Sequence, residues 1–149
     1  MPSIRKILAP IDFSEVSNRS LDYAVDLAAQ IKAAVSVVHV YEIPVYPFPE
    51  GAIITPPDVA ADMADRAQKS LDAAVSARRH RGVEISGTLT NGSPREEIVR
   101  LAKEGNADLI VMGTHGRRGL PRALLGSVAE RVIRTSDTPV LTIRGPRET

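Results

Sequence analysis

Residues 107–127 read ADLIVMGTHGRRGLPRALLGS. The first six residues, ending at Met112, are a short apolar run of the kind that becomes a buried strand. A glycine-rich stretch follows from Gly113. Ser127 and Glu130 then show capping-box spacing ahead of Val132 and Ile133, which predicts a helix start. Strand, glycine loop and helix in this order form one half of a βαβ unit, and the same alternation extends outward from it.

Towards the N-terminus, residues 4–11 read as a buried strand, after which Ser14 or Ser17 can cap a helix. Leu21, Ala24, Val25, Ala28 and Ile31 keep helical spacing, and VSVVHV at residues 35–40 is a second strand. Residues 41–57 hold five of the eleven prolines and three of the five aromatics, so neither a helix nor a central strand is expected there and the segment reads as a loop. Asp58 is placed to cap the next helix, whose stripe is Met63, Ala67, Leu71, Ala74 and Val75. Its end is marked by Arg78, Arg79, His80, Arg81 and Gly82. Residues 83–90 predict a strand, and Asn91 and Gly92 a turn. Ser93, Pro94 and Glu96 predict an N-cap, a first-turn proline and a reciprocal capping partner, with the helix running to about Lys103. Residues 138–143, TPVLTI, close the series as a last strand. The expectation is an α/β fold in one domain over residues 1–149, an open five-stranded parallel sheet with right-handed crossovers and helices on both faces.

Composition removes several functions. Nineteen Lys and Arg against eighteen Asp and Glu leave a net charge of +1, so no global field attracts nucleic acid or an anionic membrane. The absence of cysteine rules out a disulfide framework, a thiolate metal site and a cysteine nucleophile. The apolar stretch after Arg5 and Lys6 is interrupted by Pro10 and Asp12, too short for a signal peptide, and no run approaches the roughly 18 residues of a membrane span. The expected location is the cytoplasm.

In open parallel sheets, ligands bind beyond the carboxyl ends of the strands where strand order reverses. That directs attention to Pro10, Ile11, Asp12, Phe13 and Ser14 after the first strand, and to residues 113–127 after the fourth. Glycines there would let backbone approach a ligand and take positive φ, and a helix starting at Ser127 would present free N–H groups and the positive end of its dipole. Arg117, Arg118 and Arg122 add cations suited to a polyphosphate. The plainer alternative is that the glycines are turn residues and the arginines a solvated surface. Two phosphate signatures fail: GxxxxGK[ST] is absent, and no GxGxxG follows the first strand. Asp12 is a short polar acceptor at the strand end and equally suits a helix entry; Ser127 suits an N-cap or a phosphate donor. His115 can touch a phosphate or face solvent, His39 reads as a core residue, and His80 and the arginines beside it complement a helix C-terminus. The PxxP at Pro44 and Pro47 carries little meaning, and the proline-rich loop reads as a flap near the ligand.

Gly113, two residues, Gly116, nine residues, then Gly126 and Ser127 reproduce the G-x2-G-x9-G-[ST] signature of the ATP-binding branch of the universal stress protein family, which this chain resembles. The resemblance extends to ILAPIDFS, VVHV, DLIVMGTHG and TPVLTI, in the right order over nearly the whole chain. It implies a Rossmann-like α/β/α sandwich of adenine nucleotide alpha hydrolase-like type. It places adenine near Asp12 and the backbone of Val40, and ribose near Asp12 or Pro10. Phosphates would lie on Gly113, His115, Gly116, Arg117, Gly126, Ser127 and Val128; Ser14 and Met112 complete the expected set. ATP is the implied ligand, with Mg2+ held by its phosphates, and the implied assembly is a homodimer through the last strand, where Pro139 removes one donor. The function implied is nucleotide-dependent regulation in a stress response with at most slow hydrolysis. The alternatives are an ATP-consuming enzyme of the same fold and a nucleotide-free dimeric interaction module.

Overall fold

The computed structural model describes residues 2–115 and 124–145. Seven strands and four α-helices follow in order: β1 (Lys6–Pro10), α1 (Glu15–Ile31), β2 (Ala34–Tyr41), β3 (Val45–Phe48), β4 (Gly51–Ile54), α2 (Pro57–Ser76), β5 (Ile85–Asn91), α3 (Pro94–Glu104), β6 (Leu109–Gly113), α4 (Ser127–Thr135) and β7 (Val140–Ile143). Five strands form one parallel sheet in the order β5-β2-β1-β6-β7. The chain starts at the centre, winds outward through β2 and β5, then returns to the far side of β1. The reversal of strand order therefore falls between β1 and β6.

Side-chain alternation along the strands divides the core in two. Ile7 and Ala9 of β1, Val35 and Val37 of β2 and Leu109 and Val111 of β6 pack with Leu21, Val25 and Ala28 of α1 and Leu71 and Val75 of α2. Leu8, Val38, Val40, Ile110 and Met112 point the other way, against Ile98 and Ala102 of α3 and Ala129 and Val132 of α4. Strands buried on both faces need continuous apolar runs, which is what residues 7–9 and 109–112 supply. The expected α/β sandwich is thus the observed one.

Several local expectations are corrected. Residues 41–57 are not simply a loop: β3 and β4 form an antiparallel hairpin separate from the main sheet, closed at its base by the Thr55 hydroxyl donating to the Pro44 carbonyl at 2.6 Å. The prolines bar a central strand, but a hairpin with free edges accommodates Pro47. Asp58 is not the cap of α2; that position is Pro56, and Asp58 sits in the first turn, where its charge complements the helix dipole. Ser93 is the N-cap of α3 by position, yet its side chain makes no capping bond, so the box with Glu96 does not form. In α4 the N-cap is Gly126 rather than Ser127, and Glu130 reaches forward to Arg134 instead of back to the cap. Beyond α2, Arg78 does serve the helix end, donating to the Ala74 carbonyl at 2.7 Å, and it also holds Asp22 of α1 at 2.9 Å.

Candidate functional site

At the carboxyl ends of β1, β2 and β6, on the side covered by α3 and α4, a cleft of about 560 Å3 opens at the strand-order reversal. Each wall has a local reason for its shape.

The first wall is the turn from β1 into α1. The N–H of Ile11 still bonds the Val38 carbonyl at 2.8 Å, so the strand direction persists past Pro10. The chain then breaks sharply: Phe13 takes φ 64°, a left-handed conformation that costs a non-glycine residue about 1 kcal/mol. Side chains hold the turn. Asp12 Oδ1 accepts from the N–H of Ser14 at 3.0 Å, Ser17 Oγ accepts from the N–H of Asp12 at 3.2 Å, and Ser14 Oγ caps α1 through the N–H of Ser17 at 3.2 Å. The Phe13 and His39 rings pack 4.4 Å apart, and His39 Nδ1 lies 2.8 Å from the Ile11 carbonyl. His39 braces this turn from β2 and is half-buried, not the core residue that the sequence suggested.

The second wall joins β6 to α4. The N–H of Gly126 donates to the Thr114 carbonyl at 2.8 Å, which clasps the outgoing and returning chain together. Here the structure revises the meaning of two glycines. A Cβ on Gly113 would come within 2.7 Å of Val16 Cγ1, and one on Gly126 within 2.9 Å of the Thr114 carbonyl oxygen. Gly126 has φ −62°, and neither glycine uses positive φ. Their close approach is first of all to the protein itself. His115 is tied back as well, with Nδ1 2.8 Å from the Thr114 hydroxyl and Nε2 on the Leu124 carbonyl.

The first intrahelical bond of α4 runs from the N–H of Glu130 to the Gly126 carbonyl, so the N–H groups of Ser127, Val128 and Ala129 have no acceptor within the helix. All three residues line the cleft. The start of α3, Ser93 to Glu96, borders it too, so two helix N-termini face one cavity. The floor is apolar: Pro10, Val38, Val40, Ile98 and Met112. Around it stand the carboxylates of Asp12, Glu42 and Glu96 and the guanidiniums of Arg95 and Arg131. Neither arginine forms an ion pair among the described residues.

Of the expected site residues, Pro10, Asp12, Val40, Met112, Gly113, His115, Gly126, Ser127 and Val128 are brought together around this cleft. Ser14 stands behind it as the α1 cap. Gly116 and Arg117 lie outside the described residues, as do Arg118 and Arg122. Sequence reasoning missed the α3 side, Ser93 to Glu96 with Ile98, and also Glu42 and Arg131. A signal existed: α3 follows a strand of the same parallel sheet, so its start had to lie at the carboxyl edge, and only two of the five strand ends were inspected.

A doubly wound α/β sandwich with such a cleft at the reversal of strand order belongs to the architectures that bind nucleotides and related ligands at that place. The comparisons make the class specific. Residues 3–144 match the Universal stress protein family, and the chain belongs to that family. It is 36% identical over 146 residues to a universal stress protein of Methanocaldococcus jannaschii, covering 97% of this chain and 84% of that protein. Among solved structures, it resembles the universal stress protein from Archaeoglobus fulgidus in complex with dAMP at TM-score 0.66 and 28% identity, covering 96% and 99% of the two chains. It also resembles a universal stress protein in complex with cAMP at TM-score 0.71 and 27% identity, covering 96% and 98%.

Proposed function

We propose that this cleft holds an adenine nucleotide, ATP above all, and that the protein is a cytoplasmic, nucleotide-dependent regulator of a stress response that hydrolyses ATP slowly at most. The observation that carries the reading is the meeting of an apolar floor with the start of α4 in a single cavity. A purine needs a flat apolar surface with a few polar acceptors, and phosphates need aligned N–H groups at a positive dipole end. Val38, Val40 and Met112 suit the base, Asp12 the nucleoside hydroxyl or amino group, and the N–H groups of Ser127 to Ala129 the phosphates, with Arg131 one turn further along. Gly113, His115, Gly126 and Val128 form the rest of the cradle, to which Gly116 and Arg117 would add from the adjoining loop.

Relatives in complex with cAMP and dAMP support adenine as the base. The intact glycine and serine spacing supports a triphosphate. Mg2+ would be held by the phosphates. Dimerisation along β7, an edge strand paired only with β6, belongs to the same reading.

Isothermal titration with ATP and magnesium, and in parallel with AMP, cAMP and adenosine, tests the proposal. The expected order is ATP tightest, with micromolar affinity, and adenosine weakest. Equal affinity for ATP and adenosine would remove the phosphate role of α4, and tighter binding of cAMP than of ATP would replace the ligand.

A further inference from the structure

The parallel ladder between β1 and β2 stops one bond early at the edge of the cleft. The Ala34 N–H donates to the Arg5 carbonyl and the Ile11 N–H to the Val38 carbonyl, both at 2.8 Å, so the peptide groups of even-numbered residues in β2 point towards β1. Those of odd-numbered residues point towards β5, as the Val35 N–H does in donating to the Glu84 carbonyl at 2.8 Å. The next bond in the β1 series would run from the Val40 N–H to the Ile11 carbonyl. It is not made, and the pairing ends at Pro10 with Val38. The Ile11 carbonyl is met instead by Nδ1 of His39 at 2.8 Å. A carbonyl oxygen only accepts, so Nδ1 carries the hydrogen, and the ring stands in for the backbone donor.

His39 neighbours Val40 in sequence yet looks the other way. Val35 and Val37 share its face and pack with α1 and α2, whereas Val38 and Val40 line the cleft. The same ring packs 4.4 Å from Phe13, whose φ of 64° is a conformation that a bulky residue keeps only where its surroundings impose it. His39 therefore holds the residues on both sides of Asp12 without itself lining the cleft.

We propose that His39 is a positioning residue for the nucleoside end of the ligand, an inference that rests on the reading of the cleft as an adenine-nucleotide site. By occupying the Ile11 carbonyl it ends the ladder early, leaves the Val40 N–H open at the carboxyl edge of the sheet as a donor to the base, and fixes the turn that brings Asp12 to the same edge. Without a donor at this position the Ile11 carbonyl would lose its partner, and the ladder's next donor is the Val40 N–H. The two strands would zip one step further, and the edge that faces the base would close.

Nuclear magnetic resonance of the unliganded protein tests the device directly. Proton–nitrogen correlation of the imidazole should show hydrogen on Nδ1 of His39, and the Val40 amide should exchange with solvent much faster than the Val38 amide, which lies within the ladder. His39→Phe keeps a ring against Phe13 but has no donor, so Val40 exchange should slow by roughly tenfold or more. His39→Asn can donate from near the Nδ1 position and should restore fast exchange. In calorimetry, His39→Phe should weaken ATP by about three- to tenfold, the effect of one hydrogen bond, and His39→Asn should recover most of that loss. Hydrogen on Nε2 alone, a Val40 amide as protected as that of Val38, unchanged ATP affinity in His39→Phe, or no recovery in His39→Asn overturns the proposal while the nucleotide reading stands. Failure of ATP to bind the unmodified chain overturns both.

Discussion

Ser127 carries the sharpest residue-scale consequence of the site. It is exposed, opens α4, and takes no part in a side-chain cap. Ser127→Asp adds a carboxylate where the helix dipole welcomes one, worth up to about 1 kcal/mol to the fold, and where a phosphate would be repelled. Thermal unfolding should be unchanged or slightly raised, while ATP affinity falls at least tenfold and adenosine affinity is retained. Gly113→Val has the opposite character. Its side chain would collide with Val16, so a loss of roughly 1–3 kcal/mol in denaturant unfolding is expected together with the loss of binding. A variant that weakens ATP binding without destabilising the fold would show that the glycine is reserved for ligand rather than for α1.

Element by element, apolar runs and spacing made the α/β alternation legible, because strands buried on both faces and helices with one buried stripe leave different periods in the sequence. The caps were less legible. Ser93, Asp58 and Ser127 all have the right residue type, yet Pro56 and Gly126 occupy two of the N-cap positions, and Ser93 keeps its hydroxyl out of the cap. Cap chemistry depends on one dihedral pair that composition does not encode. The hairpin was hidden for a related reason: prolines exclude a central strand, not a free-standing one. The α3 wall of the cleft was missed although its helix was found, since the strand order that aims it at β1 is a property of the sheet.

Two contacts at this scale predict measurable stability. Arg78 has little exposed side chain and joins the end of α2 to Asp22 of α1, where Arg81 also bonds. Arg78→Ala should cost about 1–2 kcal/mol in chemical denaturation, more than Arg66→Ala at an exposed helical pair. Asp108 accepts the N–H groups of Arg5 and Lys6 at 2.9 and 3.0 Å, and these bonds hold its carboxyl below the ordinary range. A depressed carboxylate stabilises the fold above its unfolded pKa, and that contribution disappears as pH falls through the folded value. Asp108→Asn should therefore be less stable than the unmodified chain near neutrality, with the gap closing as pH falls below the ordinary Asp value of 3.8. A gap independent of pH would mean that the carboxylate's charge contributes nothing.

For the whole molecule, on the proposed function a base for hydrolysis would have to come, among the described residues, from the carboxylates lining the cleft, Asp12, Glu42 and Glu96. Asp12 already accepts the Ser14 N–H, and Glu130 is paired with Arg134. Phosphoryl transfer needs a positioned nucleophile as well as charge neutralisation, so release of inorganic phosphate under saturating ATP and magnesium should run far below the ~10 per second typical of enzymes. A rate above roughly 1 per second that Ser127→Asp abolishes would place the protein among ATP-consuming enzymes. Light scattering should show self-association that Leu141→Lys on β7 weakens; a monomer at high micromolar concentration would defeat pairing along that edge. The central claim is that an adenine nucleotide occupies the cleft at the strand-order reversal, and an amide NMR titration with ATP and magnesium locates it directly. The account predicts saturable shifts at Asp12, Val40, Gly113 and Ser127 to Ala129, with the far ends of β1 and β6 silent. Shifts confined to other surfaces, or none at millimolar ATP, would contradict it.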